Sequence, residues 1–238
     1  MALLWTLALA KGATATFEHE PRVCPGDQPT NVSDSIFKER VVVYDEAMGA
    51  RAVVAGDINK DGRCDLVVAS STDNSIRWFE NLGDRQWSRP QKITYDAKGA
   101  RVVALADIDG DGYLDVVYVS HYDNTLGWFR NVLRTSMEDR RRTTMEDRRR
   151  LQFISMREFK SDEPRYISRT VDEGQGVVAA DLDGDGDVDI ATASSGDSSI
   201  AWYENMGGGR FCEIKRVVDD DALGARSVVV PKSSSGLS

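Results

Sequence analysis

Residues Asp181–Asp189 read Asp-Leu-Asp-Gly-Asp-Gly-Asp-Val-Asp, with five carboxylates in nine positions. Like charges this close repel one another in any compact state, so something must offset them. An acidic run is ordinarily a solvated loop or tail. Here Val177-Val178-Ala179-Ala180 precedes it and Ile190-Ala191-Thr192-Ala193 follows it, and both are apolar, β-leaning segments that require burial. A hairpin turn needs only one or two Asp or Gly residues for its geometry, which leaves the other carboxylates unexplained. Their alternation explains them. Acids at loop positions 1, 3, 5 and 9, with Gly186 at position 6 free to take a positive φ, let a tightly wound loop aim its oxygens at one point. A hard cation such as calcium takes about six to eight oxygen ligands and neutralises such a cluster.

The pattern occurs three times. Asp57-Ile58-Asn59-Lys60-Asp61-Gly62-Arg63-Cys64-Asp65 and Asp107-Ile108-Asp109-Gly110-Asp111-Gly112-Tyr113-Leu114-Asp115 match it position for position. An EF-hand would need a Glu at loop position 12 and a helix on each side. Position 12 is Val68, Tyr118 and Thr192, and Leu66-Val67-Val68 and Val116-Val117-Tyr118-Val119 are strand formers. The EF-hand is excluded on both counts.

The loops belong to a longer repeat. Asp57 and Asp107 are 50 residues apart, Asp107 and Asp181 are 74 apart, and the excess of 24 falls in the second unit. In each unit a Trp follows the first loop Asp by 21 residues, opening Trp78-Phe79-Glu80-Asn81, Trp128-Phe129-Arg130-Asn131 and Trp202-Tyr203-Glu204-Asn205. Gly49-Ala50-Arg51 and Gly99-Ala100-Arg101 precede the first two loops, and Gly224-Ala225-Arg226 opens a fourth unit. The first unit reads as four short strands: Ala52–Gly56, Leu66–Ser70, Ser75–Glu80 and Gln91–Tyr95. Asp73-Asn74 turns into the third and Asn81-Leu82-Gly83-Asp84 into the fourth. The expected fold is all-β, with β-propeller-type blades of four antiparallel strands whose apolar faces are buried by stacking on neighbours. The recurring Trp is expected at that inter-blade contact. Three complete units, flanked by a lone fourth-strand-like segment (Phe37–Tyr44) and a lone first strand (Ser227–Val230), predict an incomplete propeller arc.

Loops followed by strand, turn and Trp-Phe-Glu-Asn resemble the FG-GAP/VCBS-type repeats, related to those of the integrin α-subunit propeller. The resemblance runs from about Phe37 to Val230. It implies calcium loops on β-hairpins of a propeller, commonly seven-bladed, in extracellular proteins. By match to that loop, the side-chain ligands are Asp57, Asn59, Asp61 and Asp65; Asp107, Asp109, Asp111 and Asp115; and Asp181, Asp183, Asp185 and Asp189. The backbone carbonyls of Arg63, Tyr113 and Asp187 add one oxygen each, for up to three Ca2+ ions. The neutral Asn59 makes the first site the weakest. The third loop is expected to dominate, with Asp189 as a bidentate ligand whose removal matters in calcium and little in chelator. Ala-Arg follows the leading Gly, and Ala69-Ser70-Ser71 stands where a Gly-Ala-Pro signature is usual, which favours the broader VCBS-type group.

With 238 residues and 41% hydrophobic content, the chain has enough apolar material for one repeat domain. A net charge of −9 argues against nucleic acid and anionic membranes, and much of that acidity belongs to the loops. Residues 1–15 read as a signal peptide: Met1–Ala10 is apolar but too short to span a bilayer, and Ala8, Ala10, Ala13 and Ala15 offer small-residue cleavage points. No other segment has the length and apolarity of a transmembrane span. Residues 16–36 read as irregular and 37–231 as the repeat domain, with units at about 49–98, 99–172 (insert 134–159), 173–223 and a partial 224–231. Residues 232–238 form a tail. Within the insert, Thr135-Ser136-Met137-Glu138-Asp139-Arg140-Arg141-Arg142 is followed by the near copy Thr143-Thr144-Met145-Glu146-Asp147-Arg148-Arg149-Arg150, a strongly polar tandem octamer. Asn31-Val32-Ser33 is a glycosylation sequon. Cys24, Cys64 and Cys212 form no CxxC, which excludes a thiolate zinc site. Cys24–Cys212 is the first pairing to expect, since Cys64 lies inside a loop that pairing would strain.

His19 and His121 are the only histidines, and the chain has no G-x-S-x-G elbow and no nucleotide loop. Paired carboxylates can hydrolyse glycosides, but these are spaced as ligands. The expected function is therefore a non-enzymatic extracellular calcium-binding module for adhesion or for a protein or glycan ligand. The alternative is a repeat-bearing fragment of a larger receptor or of a secreted carbohydrate-active enzyme.

Overall fold

The computed structural model describes residues 41–133, 157–159, 165–212 and 215–229. The signal peptide, the segment 16–36 with its sequon, the tandem octamer and the tail 232–238 lie outside the described residues.

Three units of the same design follow one another. The first holds β1 (Ala50–Gly56), β2 (Asp65–Ser70), β3 (Ser75–Phe79), β4 (Asn81–Gly83), β5 (Gln86–Trp87) and β6 (Gln91–Thr94). The second holds β7 (Ala100–Ala106), β8 (Asp115–Ser120), β9 (Thr125–Phe129), β10 (Asn131–Leu133), β11 (Arg157–Phe159) and β12 (Arg165–Ser168). The third holds β13 (Gly174–Ala180), β14 (Asp189–Ser194), β15 (Ser199–Tyr203) and β16 (Arg216–Asp219). Each unit is an open four-stranded antiparallel sheet, ordered β1-β2-β3-β6, β7-β8-β9-β12 and β13-β14-β15-β16. The four strands expected in the first unit are the ones found, shifted by at most two residues at their ends. A register shift recurs at the start of the first strand, between Ala50 and Ala52, Ala100 and Val102, and Gly174 and Gly176. The extra residue of such a bulge bends and twists the strand locally, and here it does so at the same place in every sheet.

Asn81-Leu82-Gly83-Asp84 is more than a turn into the fourth strand. It supplies β4, which pairs with β5 across Asp84 and Arg85, both at positive φ (48° and 62°), as a tight hairpin reversal requires. The second unit has the same hairpin in β10 and β11, whose register pairs Asn131 with Phe159 and Leu133 with Arg157. Residues 157–159 are therefore the return arm of a hairpin, within the span assigned to the insert. In the third unit a bridge between Asn205 and Phe211 stands at the same point.

No unit buries its apolar face by itself. Ile58, Val67, Ile76, Trp78 and Ile93 of the first unit pack against Val103, Val116, Tyr118 and Phe129 of the second. Ile108, Val117, Leu126, Trp128 and Val171 of the second pack against Ile190, Ala201 and Tyr203 of the third. The middle sheet is covered on both faces, and all six residues of β8 are buried. Trp78 and Trp128 lie in these contacts, as the sequence led one to expect, whereas Trp202 is half-buried with the Arg216 guanidinium 4.8 Å above its ring. Loop position 2 reaches across to the following unit: Ile58 and Ile108 are 0% and 1% exposed, while Leu182 in the third loop is 37% exposed. The segment around Ser227 lies beside β13, where a Cβ on Gly176 would meet the Ser227 Cα at 3.0 Å. It sits at the edge where a fourth unit would begin, although residues 225–229 form no ladder, and neither do residues 41–44.

Candidate metal centre

Each acidic loop joins the first two strands of its sheet and is wound by its own carboxylates. The position-1 Asp accepts a hydrogen bond from the position-6 glycine amide: Gly62 to Asp57 at 2.9 Å, Gly112 to Asp107 at 2.7 Å and Gly186 to Asp181 at 3.1 Å. Position 3 accepts from the amide of position 5, as Asn59, Asp109 and Asp183 do at 3.1, 3.3 and 3.2 Å. Position 5 accepts from the amide of position 7, linking Asp61 to Arg63, Asp111 to Tyr113 and Asp185 to Asp187 at 2.9, 3.0 and 2.9 Å. The position-6 glycines sit at φ of 87°, 85° and 96°, where a side chain would be strained.

The position-9 carboxylate has a different task. Asp65, Asp115 and Asp189 are 0% exposed, and each clasps two backbone amides. One oxygen accepts from loop position 2 (Ile58 at 3.2 Å, Ile108 at 3.1 Å, Leu182 at 3.2 Å). The other accepts from the Asn that follows the aromatic strand (Asn81 at 2.9 Å, Asn131 at 2.7 Å, Asn205 at 2.8 Å). These Asn side chains carry the connection onward. Asn131 Nδ2 donates to Leu114 O and to Ile58 O of the preceding unit, both at 3.0 Å. Asn205 Nδ2 donates to Val188 O at 3.0 Å and to Ile108 O of the preceding unit at 2.9 Å. Asn81 Nδ2 donates to Cys64 O at 3.1 Å. The sequence placed Asn81 only in a turn and gave Asn131 and Asn205 no role. Their signal was an Asn three residues after the Trp in all three units.

The loops differ in what they gather. Carboxylate oxygens of Asp107, Asp109 and Asp115 lie within 4.8 Å of one another, and so do those of Asp181, Asp183 and Asp189. Asp57, Asp61 and Asp65 form no such trio. In that first loop Arg63 Nη2 holds Asp61 at 2.5 Å, and the Asn59 amide donates to Asp61 and to Glu80 at 3.2 and 3.1 Å. Arg63 also donates to Asn81 O, the Tyr113 ring carries Lys60 Nζ at 4.0 Å, and the Asp187 carboxylate faces Gly207. Burial pushes the Asp65 carboxyl up to about 6 and Asp115 to about 7, against two backbone hydrogen bonds that pull the other way. Burial also raises Asp109, helped by Asp111 and opposed by Arg130. Carboxylates whose ionised form is costly in the bare loop are those a cation would relieve. In the second loop Asp107 Oδ1 is buried without a hydrogen-bond partner. An oxygen-only donor set converging on one point, with that oxygen unsatisfied, fits a hard divalent ion.

One expectation is overturned here. Cys64 is disulfide-bonded, and Cys212 is free and half-buried, so Cys24 and Cys212 do not pair with each other. Cys64 occupies loop position 8, whose side chain takes no part in the carboxylate ladder. The ladder and the Asn81 bond to Cys64 O stand together with that linkage.

Three open four-stranded sheets, each led by an acidic loop and buried only against its neighbours, define a tandem β-repeat protein. Residues 57–118 and 181–230 match the FG-GAP-like repeat, each match beginning at the first Asp of a loop, and the chain carries repeats of the FG-GAP type. No match is found among the curated proteins. Among the described residues no helix is long and apolar enough to cross a membrane.

Proposed function

We propose that this chain is a non-enzymatic extracellular calcium-binding module, its units forming the blades of an incomplete propeller arc that binds a protein or glycan. One observation carries the reading. The second and third loops each bring three carboxylates within 4.8 Å at the same place in FG-GAP-like repeats. Asp107, Asp109, Asp111 and Asp115 would hold one ion, and Asp181, Asp183, Asp185 and Asp189 another. A bound calcium ion would supply a fixed double positive charge, which offsets half the charge of each four-carboxylate set and ties the hairpin between two core strands. The disulfide at Cys64 suits an oxidising compartment, and loops with affinities of about 10⁻⁴–10⁻³ M fill at extracellular calcium levels. The mature chain is therefore expected in the medium of cells expressing it. Recovery from cytosol alone, with residues 1–15 intact, would refute export.

Calcium should stabilise the fold. A ligand that binds only the folded state adds about 2.7 kcal/mol at a hundredfold excess over Kd. For a chain of this size that raises the melting temperature by about 5–10 °C. Paired melts in excess calcium and in chelator read the difference. Coincident melting curves would reduce the loops to Asp-rich turns.

A further inference from the structure

The residue after the aromatic pair differs between units. It is Glu80 in the first, Arg130 in the second and Glu204 in the third. Glu80 accepts from the Asn59 amide, and Glu204 pairs with Arg216. Arg130 instead turns into the second loop. Its Nε forms an ion pair with Asp109 Oδ2, without hydrogen-bond alignment, and its Nη2 lies 3.4 Å from Asp111 Oδ2. The Asp109 side chain is only 5% exposed, while that of Arg130 is 36% exposed. A second cation stands close by: Lys60, from the neighbouring loop, lies over Tyr113 and reaches Gly112, with Nζ 3.3 Å from where a Cβ would sit. The third loop has no counterpart among the described residues. Among the described residues no Lys or Arg forms an ion pair with Asp181, Asp183, Asp185, Asp187 or Asp189.

We propose that the Arg130 guanidinium is the second loop's own counter-cation, so that a divalent ion enters that loop by displacing it and the third loop fills first. This rests on the calcium reading above and assigns its regulation. Arg130 and the ion compete for the same Asp109 oxygen, and the half-exposed guanidinium has a path to solvent. Displacement breaks the attraction between Arg130 and the loop carboxylates, and that attraction is subtracted from the ion's affinity for this loop. The second loop is thereby held in shape at low calcium, while the third is left to the metal.

The test is calcium titration calorimetry, with a chelator melt of every protein to show that it is folded. Asp185→Ala, at an exposed position of the third loop, should remove the tighter binding event. In that background Arg130→Glu, the residue type of the other two units, should tighten the remaining event by about tenfold, the fold-change of one charge-assisted pair. Arg130→Gln should tighten it by less. Both Arg130 variants should melt lower in chelator yet show a larger calcium-induced rise than the parent. If Asp185→Ala removes an event but neither Arg130 variant tightens the other, the counter-cation proposal fails and the calcium reading survives. If the wild-type chain takes up no calcium, both fail together.

Discussion

Asp115→Ala should lower the melting temperature by about 5–12 °C, and should do so in chelator as well as in calcium. The carboxylate is fully buried and clasps the Ile108 and Asn131 amides at 3.1 and 2.7 Å. Truncation leaves two buried N–H groups without acceptors, at about 1–3 kcal/mol each. Burial raises the Asp115 carboxyl to about 7, so removing it also relieves a buried charge, which keeps the net loss below the sum of the two. Asp111→Ala is the contrast. Asp111 is exposed, accepts from Tyr113 N at the loop surface and has only the longer contact to Arg130, at 3.4 Å, so its loss should register mainly in calcium and cost less than Asp115→Ala in chelator. The same clasp in the third loop, with Asp189 accepting at 3.2 and 2.8 Å, changes the expectation drawn from the sequence. Removing Asp189 is expected to lower the melting temperature in chelator too. An Asp115→Ala protein that melts like the parent in chelator would show that the clasp contributes nothing and that position 9 serves the ion alone.

Trp128→Ala should cost about 3–5 kcal/mol, and Trp202→Ala much less, although the two are equivalent by repeat. Trp128 is 1% exposed between the second and third sheets, and a Cβ on Gly209 would collide with its indole. Its removal opens a void in the contact that holds two units together, and a close-packed interior fills such a void only in part. Trp202 is half-buried, with the Arg216 guanidinium 4.8 Å above its ring. Denaturant melts of the two variants read the contrast. Equal losses would mean that stacking between units does not set the stability of this fold.

Strands and loops were legible because each is encoded within a few residues: an alternating acidic nonapeptide, a β-branched run, an aromatic pair. Local periodicity finds such elements well. What escaped lies in contacts that spacing does not carry. Asn131 bonds Ile58 from 73 residues away, and Asn205 bonds Ile108 from 97 away. Asp65, Asp115 and Asp189 could be recognised as oxygen donors, but their burial and their backbone partners depend on where the aromatic strand ends in space. Arg130 was visible as an odd residue in a repeat, yet its direction into the loop is set by packing. The disulfide at Cys64 is hidden from a reading of the loop as a closed unit, because position 8 has a side chain the carboxylate ladder does not use.

The hairpin of β10 and β11 has a consequence for how this gene can change. Leu133 and Arg157 face each other in register, so the two ends of the intervening stretch are pinned together by the ladder. The ladders of the three four-stranded sheets are all formed outside residues 134–156, so a change of length there is expected to leave their registers as they are. For a flexible loop each doubling of length costs only about 0.6 kcal/mol. Two near-identical octamers, residues 135–142 and 143–150, stand at this point, and a duplication here is expected to cost the fold little. The same event inside an acidic loop would break the alternation that winds it. The stretch between Leu133 and Arg157 is therefore a place where added or foreign sequence is expected to be tolerated.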